Sequence, residues 1–148
     1  MTEESAVEGP PLATFGQRTG GFLLDLSPAW VVVGTLAKLA NLTPAAGVAL
    51  ILLGWGAYNL LFLWSLSGQT PAMKLLGLYC VDEQSGEVPS LTQAAARAGS
   101  AMLIFAATLL GVFGFLGPVA DLLWATWDPR VQTLHDKMAK TLVLKLSR

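Results

Sequence analysis

The sequence predicts an all-α bundle of membrane helices, about four segments with the last one short, closed by a small cytoplasmic α/β cap. Three observations predict it. The chain is 53% hydrophobic and only 13% charged, where soluble domains carry roughly 25% charged residues. Its mean hydropathy is +0.57. No charged residue lies between Lys38 and Lys74 or between Arg97 and Asp121. Apolar runs of about 20 residues match the hydrocarbon thickness of a bilayer.

The first stretch, residues 1–14, carries Glu3, Glu4 and Glu8 and no basic residue. That is the wrong n-region for a cleaved signal peptide. Pro10-Pro11 disfavours an earlier helix start, so a poorly ordered tail is expected. Segment one spans about 15–39. Its apolar body is interrupted by Asp25 and Pro28 and ends at Lys38, whose stem can snorkel to an interface. Segment two, about 44–66, opens on Thr43-Pro44 as N-cap and first-turn proline and carries no charge at all.

The loop 67–90 follows. Thr70-Pro71 opens a short helix, Leu78–Val81 reads as a strand, Asp82–Glu87 as a hairpin turn, and Val88 as the start of a return strand. Ser90 and Gln93 fit a capping box for segment three, about 91–112. Gly111, Gly114 and Gly117 break that helix, and segment four, about 114–127, is short. In the tail, 128–148, Leu134 to Lys140 reads as helix. Leu142, Leu144 and Leu146 alternate as a strand able to pair with Leu78–Val81.

Five of the nine basic residues sit in the tail, and Lys74 and Arg97 flank the middle loop. The positive-inside rule therefore places the N-terminus, the middle loop and the C-terminus in the cytoplasm, which requires an even number of crossings. Net charge is −1, so no basic field for nucleic acid exists. One cysteine, Cys80, and one histidine, His135, build neither an intrachain disulfide nor a Cys/His metal site. No cofactor motif and no nucleophile–base–orienter set can be read, so no enzymatic activity is expected.

Arg18 and Asp25 are seven residues apart, so they share one helix face about 10 Å apart along the axis. An ionised carboxylate in hydrocarbon is expensive and is by default a site. It reads either as a cation or proton site or as an interhelical clasp. Pro28 cannot donate to the carbonyl of Leu24, which predicts a free acceptor beside Asp25. Asn59, mid-span in segment two, is the expected neutral partner of Asp25. Asp136, an acid in a basic tail, is the natural partner of Arg18 if the tail folds back under the bundle. Asp121 is expected at the interface, and His135 on a surface.

Several motifs together resemble one family. An Arg heads the first membrane helix and an Asp lies in its middle. A loop GQTPAMKLLGLYCVDEQSGEVPSL is followed by A-x-x-R, and the tail reads DPRVQTLHDKMAKTLV. This pattern resembles the RDD family of membrane proteins over about Phe15 to Leu144, with residues 15–148 forming the membrane domain. The one Arg and two Asp of the family's name map onto Arg18, Asp25 and Asp136. Gly20-Gly21 departs from the larger residues common there. The resemblance implies a multi-pass protein, mostly bacterial, in the cell membrane. It implies either ion or proton translocation or a module that helps assemble partner membrane proteins. The expected partners are the lipid bilayer and further copies of the chain or other membrane proteins.

Overall fold

The computed structural model describes residues 10–65 and 67–146. The predicted tail is therefore only partly visible: residues 1–9 lie outside the described residues. Helix α1, Phe15–Leu39, starts at a capping box in which the Thr14 hydroxyl accepts from the Gln17 amide and the Gln17 side chain accepts from the Thr14 amide. Helix α2, Pro44–Ser65, starts where Thr43 Oγ1 accepts from the Ala46 amide. Its 22 residues make about 33 Å, enough to cross a hydrocarbon core of about 30 Å. Helix α3, Pro71–Leu76, is capped by Thr70 and stopped by Gly77 in the left-handed region. Helix α4, Leu91–Ala106, starts at the Ser90–Gln93 capping box. Two 3₁₀ turns, Ala107–Leu110 and Val112–Phe115, lead into α5, Leu116–Trp127. Helix α6, Leu134–Ala139, completes the helices.

Three helical stretches are long and apolar enough to cross a membrane: Phe15–Leu39, Pro44–Trp64 and Leu91–Leu110. Helix α5 has 12 residues, or about 18 Å, and is too short to cross alone. The expected fourth segment is thus a short helix that runs back along α4. Its Gly117 packs on Ile104, and Gly114 packs on Ala107. A side chain at Gly114 would collide with the Ala107 carbonyl, so the turn between the two helices closes only on glycine. Outward-facing Leu23, Leu24, Val31, Val32, Leu53, Leu61, Leu103 and Leu110 are exposed. A continuous apolar exterior of this kind is what a lipid solvent requires.

The helices meet at an aromatic node. Phe22 of α1, Trp55 of α2 and Phe105 of α4 pack pairwise with centroids 5.3 to 5.7 Å apart. One end of the bundle carries the cap. Strand β1, Leu78–Asp82, pairs antiparallel with β2, Thr141–Lys145, with Cys80 opposite Val143. The N-terminal segment joins the other edge of β2. Leu12 bridges Leu144, the Ala13 amide donates to the Val143 carbonyl at 2.9 Å, and the Lys145 amide donates to the Pro11 carbonyl at 2.8 Å. Residues Pro10 to Thr14 are therefore ordered parts of the cap, contrary to the expected tail; the backbone donors of β2 gave them partners. Ala13, Leu63, Met73, Leu78, Cys80, Ala94 and Val143 form the core beneath.

Val88 does not begin a return strand. The Asp82 carboxylate accepts from the Gln84 and Ser85 amides and from the Gln93 side chain, closing the turn. These donors, the Ser85 amide first, hold the Asp82 carboxyl at about 2. Pro89 has no amide to give a ladder, Ser90 caps α4, and β1 already has a partner in β2.

Candidate functional site

Helix α6 is six residues long and would not form alone. Its N-terminus is organised by Asp136, whose Oδ2 accepts from the Thr133 amide at 3.1 Å and the Thr133 hydroxyl at 2.8 Å. The same fully buried carboxylate accepts from Arg97 Nε and Nη2, both at 2.7 Å, and pairs with Arg18 Nη2. Asp136 thus joins the first turn of α1 and the second turn of α4 to the tail. The resemblance pointed to Arg18 and Asp136. Arg97 was the part missed, although a cation near the start of an apolar helix repeats the situation of Arg18.

Beside this cluster, Asp121 is fully buried and accepts from the His135 amide at 3.0 Å and from its Nδ1 at 2.7 Å. The His135 side chain is only 13% exposed and so does not lie on the surface expected of it. The return of α5 carries Asp121 inward to the level of α6, because His135 follows Thr133 on the turn that Asp136 pins. Burial pushes the His135 imidazole below its ordinary value. Asp121 pulls it up, and Arg97 and Arg18 push it further down. The neutral ring therefore donates Nδ1–H to the Asp121 carboxylate.

Asp25 makes a second junction. It accepts from Tyr58 Oη at 2.7 Å, from Thr70 Oγ1 and from the Ala72 amide at 3.1 Å. The carboxylate ties α1 to α2 and caps α3. Two expectations about it are corrected. Asn59 turns its amide back to the Trp55 carbonyl at 2.9 Å, and Tyr58, one residue earlier, faces Asp25 instead. A side chain on a helix reaches its neighbour only from the correct angular position, and a step of one residue rotates that position by about 100°. The Leu24 carbonyl is not free either, since Ser27 Oγ donates to it at 3.3 Å and replaces the donor that Pro28 lacks.

Between the two junctions lies a cavity of about 80 Å³, lined by Arg18, Asp25, Trp55, Thr70, Arg97 and His135 among others. Arg18 and Asp25 therefore line the same cavity, as their shared helix face requires. Among the described residues, Arg18 Nε and Nη1 and Trp55 Nε1 are buried side-chain donors with no partner. The carboxylates are committed: Asp25 has three donors and Asp136 has two arginines and Thr133.

Long apolar helices, a lipid-compatible exterior and buried charge pairs at one end define a helical membrane protein. The family model described as "RDD family" matches residues 12–140, and the chain belongs to that family. No curated protein and no solved structure matches it.

Proposed function

We propose that the protein translocates a small ion or protons across a cell membrane, with Arg18 and Asp25 as stations on one polar seam. The carrying observation is the cavity that both residues line, with three uncommitted donors of Arg18 and Trp55 buried in its walls. A purely structural clasp gives no reason for them, because an unsatisfied buried donor costs about 1–3 kcal/mol. Arg18 forms the inner mouth, held by Asp136; Asp25 lies about two turns deeper.

In this reading the N-terminus, middle loop and tail face the cytoplasm of a bacterial cell, following the distribution of Lys and Arg. Helix α4 then goes out and α5 returns, making four segments. From Ala45 to Gly54, α2 carries no polar side chain, and so few helices enclose no path of their own. The working unit is therefore a homo-oligomer.

One observation favours a second reading, a non-transporting module that assembles or regulates partner membrane proteins. Asp25, Asp121 and Asp136 are all consumed in contacts that pin the fold. Flux across liposomes of purified protein, read with pH-, Na⁺- and chloride-sensitive dyes, separates the two. The expected result is flux in the wild type and none in a folded Asp25→Asn protein. Blank liposomes with well-folded wild-type protein would overturn translocation in favour of assembly.

A further inference from the structure

We infer that His135 is the proton-binding group of the cavity, with Nε2 as the atom that takes the proton up. The inference rests on the translocation reading and names both the ion, a proton, and the group that holds it. Three features of the site carry it.

The first is a free lone pair held in place. His135 lines the cavity, and its Nδ1 lies 2.7 Å from Asp121 Oδ2. The His135 amide fixes the same carboxylate at 3.0 Å. A carboxylate only accepts, so Nδ1 carries the proton of the neutral ring and Nε2 carries the lone pair. The Thr133 hydroxyl is 3.2 Å from Nε2, but its one hydrogen goes to Asp136 Oδ2 at 2.8 Å. Asp136 Oδ1 stands 3.7 Å from Nε2, so acceptor faces acceptor across that gap. A proton on Nε2 turns this repulsion into an ion pair. Asp121 is the positioning residue, and Nε2 is the binding atom.

The second is charge. Helix α6 packs against α4, α5 and β2. Arg97 faces the cluster from α4 and Asp121 from α5, while Lys145, the titratable residue of β2, is exposed. On α6 itself Asp136 faces inward and Lys137 pairs with Asp128. From α1, Arg18 and Asp25 line the same cavity. Three buried carboxylates, Asp25, Asp121 and Asp136, thus stand against two guanidinium groups, leaving one negative charge in excess while His135 is neutral. A proton on His135 removes that excess. Asp25 is a poorer place for it, since Tyr58, Thr70 and Ala72 already donate to its two oxygens. Burial first, and then Arg97 and Arg18, oppose the imidazolium. The proton therefore binds on the acid side of the ordinary histidine value and leaves at neutral pH.

The third is what the lining offers an incoming ion. Asn59 gives its amide hydrogen to the Trp55 carbonyl and keeps Oδ1 as an acceptor. With Nε2 of His135 it supplies acceptors for the hydrogens of water. About 80 Å³ has room for roughly two or three waters at about 30 Å³ each. A hydronium arriving there passes one proton to the Nε2 lone pair and leaves a water; release reverses the step. A hard metal cation needs about six oxygens at once, and the oxygens of Asp25 and Asp136 are already taken. Among the described residues no three His, Cys, Asp or Glu are arranged to hold one. A proton needs a single lone pair.

The chain has one histidine, so every histidine signal from the full chain belongs to His135. Histidine labelled in its ring nitrogens is read by nitrogen NMR in lipid nanodiscs, on a histidine-free tag, from about pH 4 to about pH 8. At the neutral end Nδ1 should be protonated and Nε2 bare. As pH falls, Nε2 should gain the proton with a midpoint below about 6.5. Exchange of choline for Na⁺ at constant ionic strength should leave that midpoint in place. Asp121→Asn should admit the other tautomer, because an amide donates as well as accepts. Asp25→Asn removes the excess negative charge and should lower the midpoint by about one pH unit, an about tenfold weaker proton affinity. His135→Gln keeps polarity, loses titration, and should abolish pH-driven flux in folded protein. A proton on Nε2 at the neutral end, no titration of the folded chain over this range, or a midpoint moved by Na⁺ overturns the inference. Proton flux undiminished in His135→Gln also overturns it, and leaves translocation standing. The expected titration in a wild type without flux refutes translocation and leaves the proton site standing.

Discussion

Replacing Asp136 with asparagine tests the junction on which the cap depends. The substitution keeps size and one acceptor oxygen but removes the negative charge between Arg18 and Arg97. Both guanidinium groups are then left buried without the carboxylate they share, at side-chain exposures of 7% and 11%. Removing one partner of a buried ion pair costs about 3–5 kcal/mol, most of it the stranded charge. A lost capping contact at Thr133 adds about 1 kcal/mol. Arg97→Gln strands nothing, because Asp136 keeps Arg18, so its cost should be smaller, about 2 kcal/mol. The double variant Asp136→Asn/Arg97→Gln should lose less than the sum of the two single changes. The double-mutant cycle then gives a coupling of about 1–3 kcal/mol. Unfolding by SDS in mixed micelles, followed by tryptophan fluorescence, supplies all four corners. An Asp136→Asn protein within about 0.5 kcal/mol of wild type would refute the reasoning. So would a coupling near zero, which would leave both arginines serving the headgroups instead of the carboxylate.

Four further outcomes are expected. Tyr58→Phe removes one of the three donors to Asp25 and should destabilise the bundle by about 1–2 kcal/mol in the same titration, whereas Asn59→Leu should cost less. The folded-state His135 value lies below its ordinary 6.5. Its neutral ring therefore contributes stability that is complete above about 6.5 and is lost as pH falls through the lower folded value. Hydrogen exchange in β2 should accelerate over that window, and His135→Gln should flatten the dependence. Gly114→Ala drives a methyl into the Ala107 carbonyl and should cost about 1–3 kcal/mol, where Gly99→Ala, with open space around it, should be neutral or stabilising. Single cysteines placed at Gly86 and Lys145, in a Cys80→Ala background, should label from the same face of the membrane; labelling from opposite faces would remove the out-and-back path of α4 and α5.

Much of the fold was legible because its causes are local. The spans of α1 and α2 follow from runs without charge. The starts of α3 and α4 follow from Thr70-Pro71 and Ser90-x-x-Gln93, where side chain and amide lie within one turn; the Thr133-x-x-Asp136 box of α6 is local in the same way but was not read. The pairing of Leu78–Val81 with the alternating Leu142 and Leu144 was legible once both were placed on one side of the membrane, and the observed ladder runs Leu78–Asp82 against Thr141–Lys145. The site was legible only in part. Arg18 and Asp25 stand out because charge in an apolar setting is costly wherever the chain goes, and Asp136 stands out as an acid in a basic tail that the family resemblance picks out. Which groups answer them does not follow from that cost.

That choice is made by tertiary geometry. Tyr58 reaches Asp25 and Asn59 does not, because the rotation of α2 against α1 decides which of two adjacent polar residues faces inward. Arg97 joins Asp136, and Asp121 becomes the partner of His135, only because α5 folds back along α4 at Gly114. Pro10 to Ala13 become an edge of the cap only because β2 leaves an open row of backbone groups beside them. By itself the sequence determined where charge and helix must occur, since burial and capping act over a few residues. Only the tertiary structure decided which charges meet, since that depends on helix rotation and chain reversal between residues far apart in sequence.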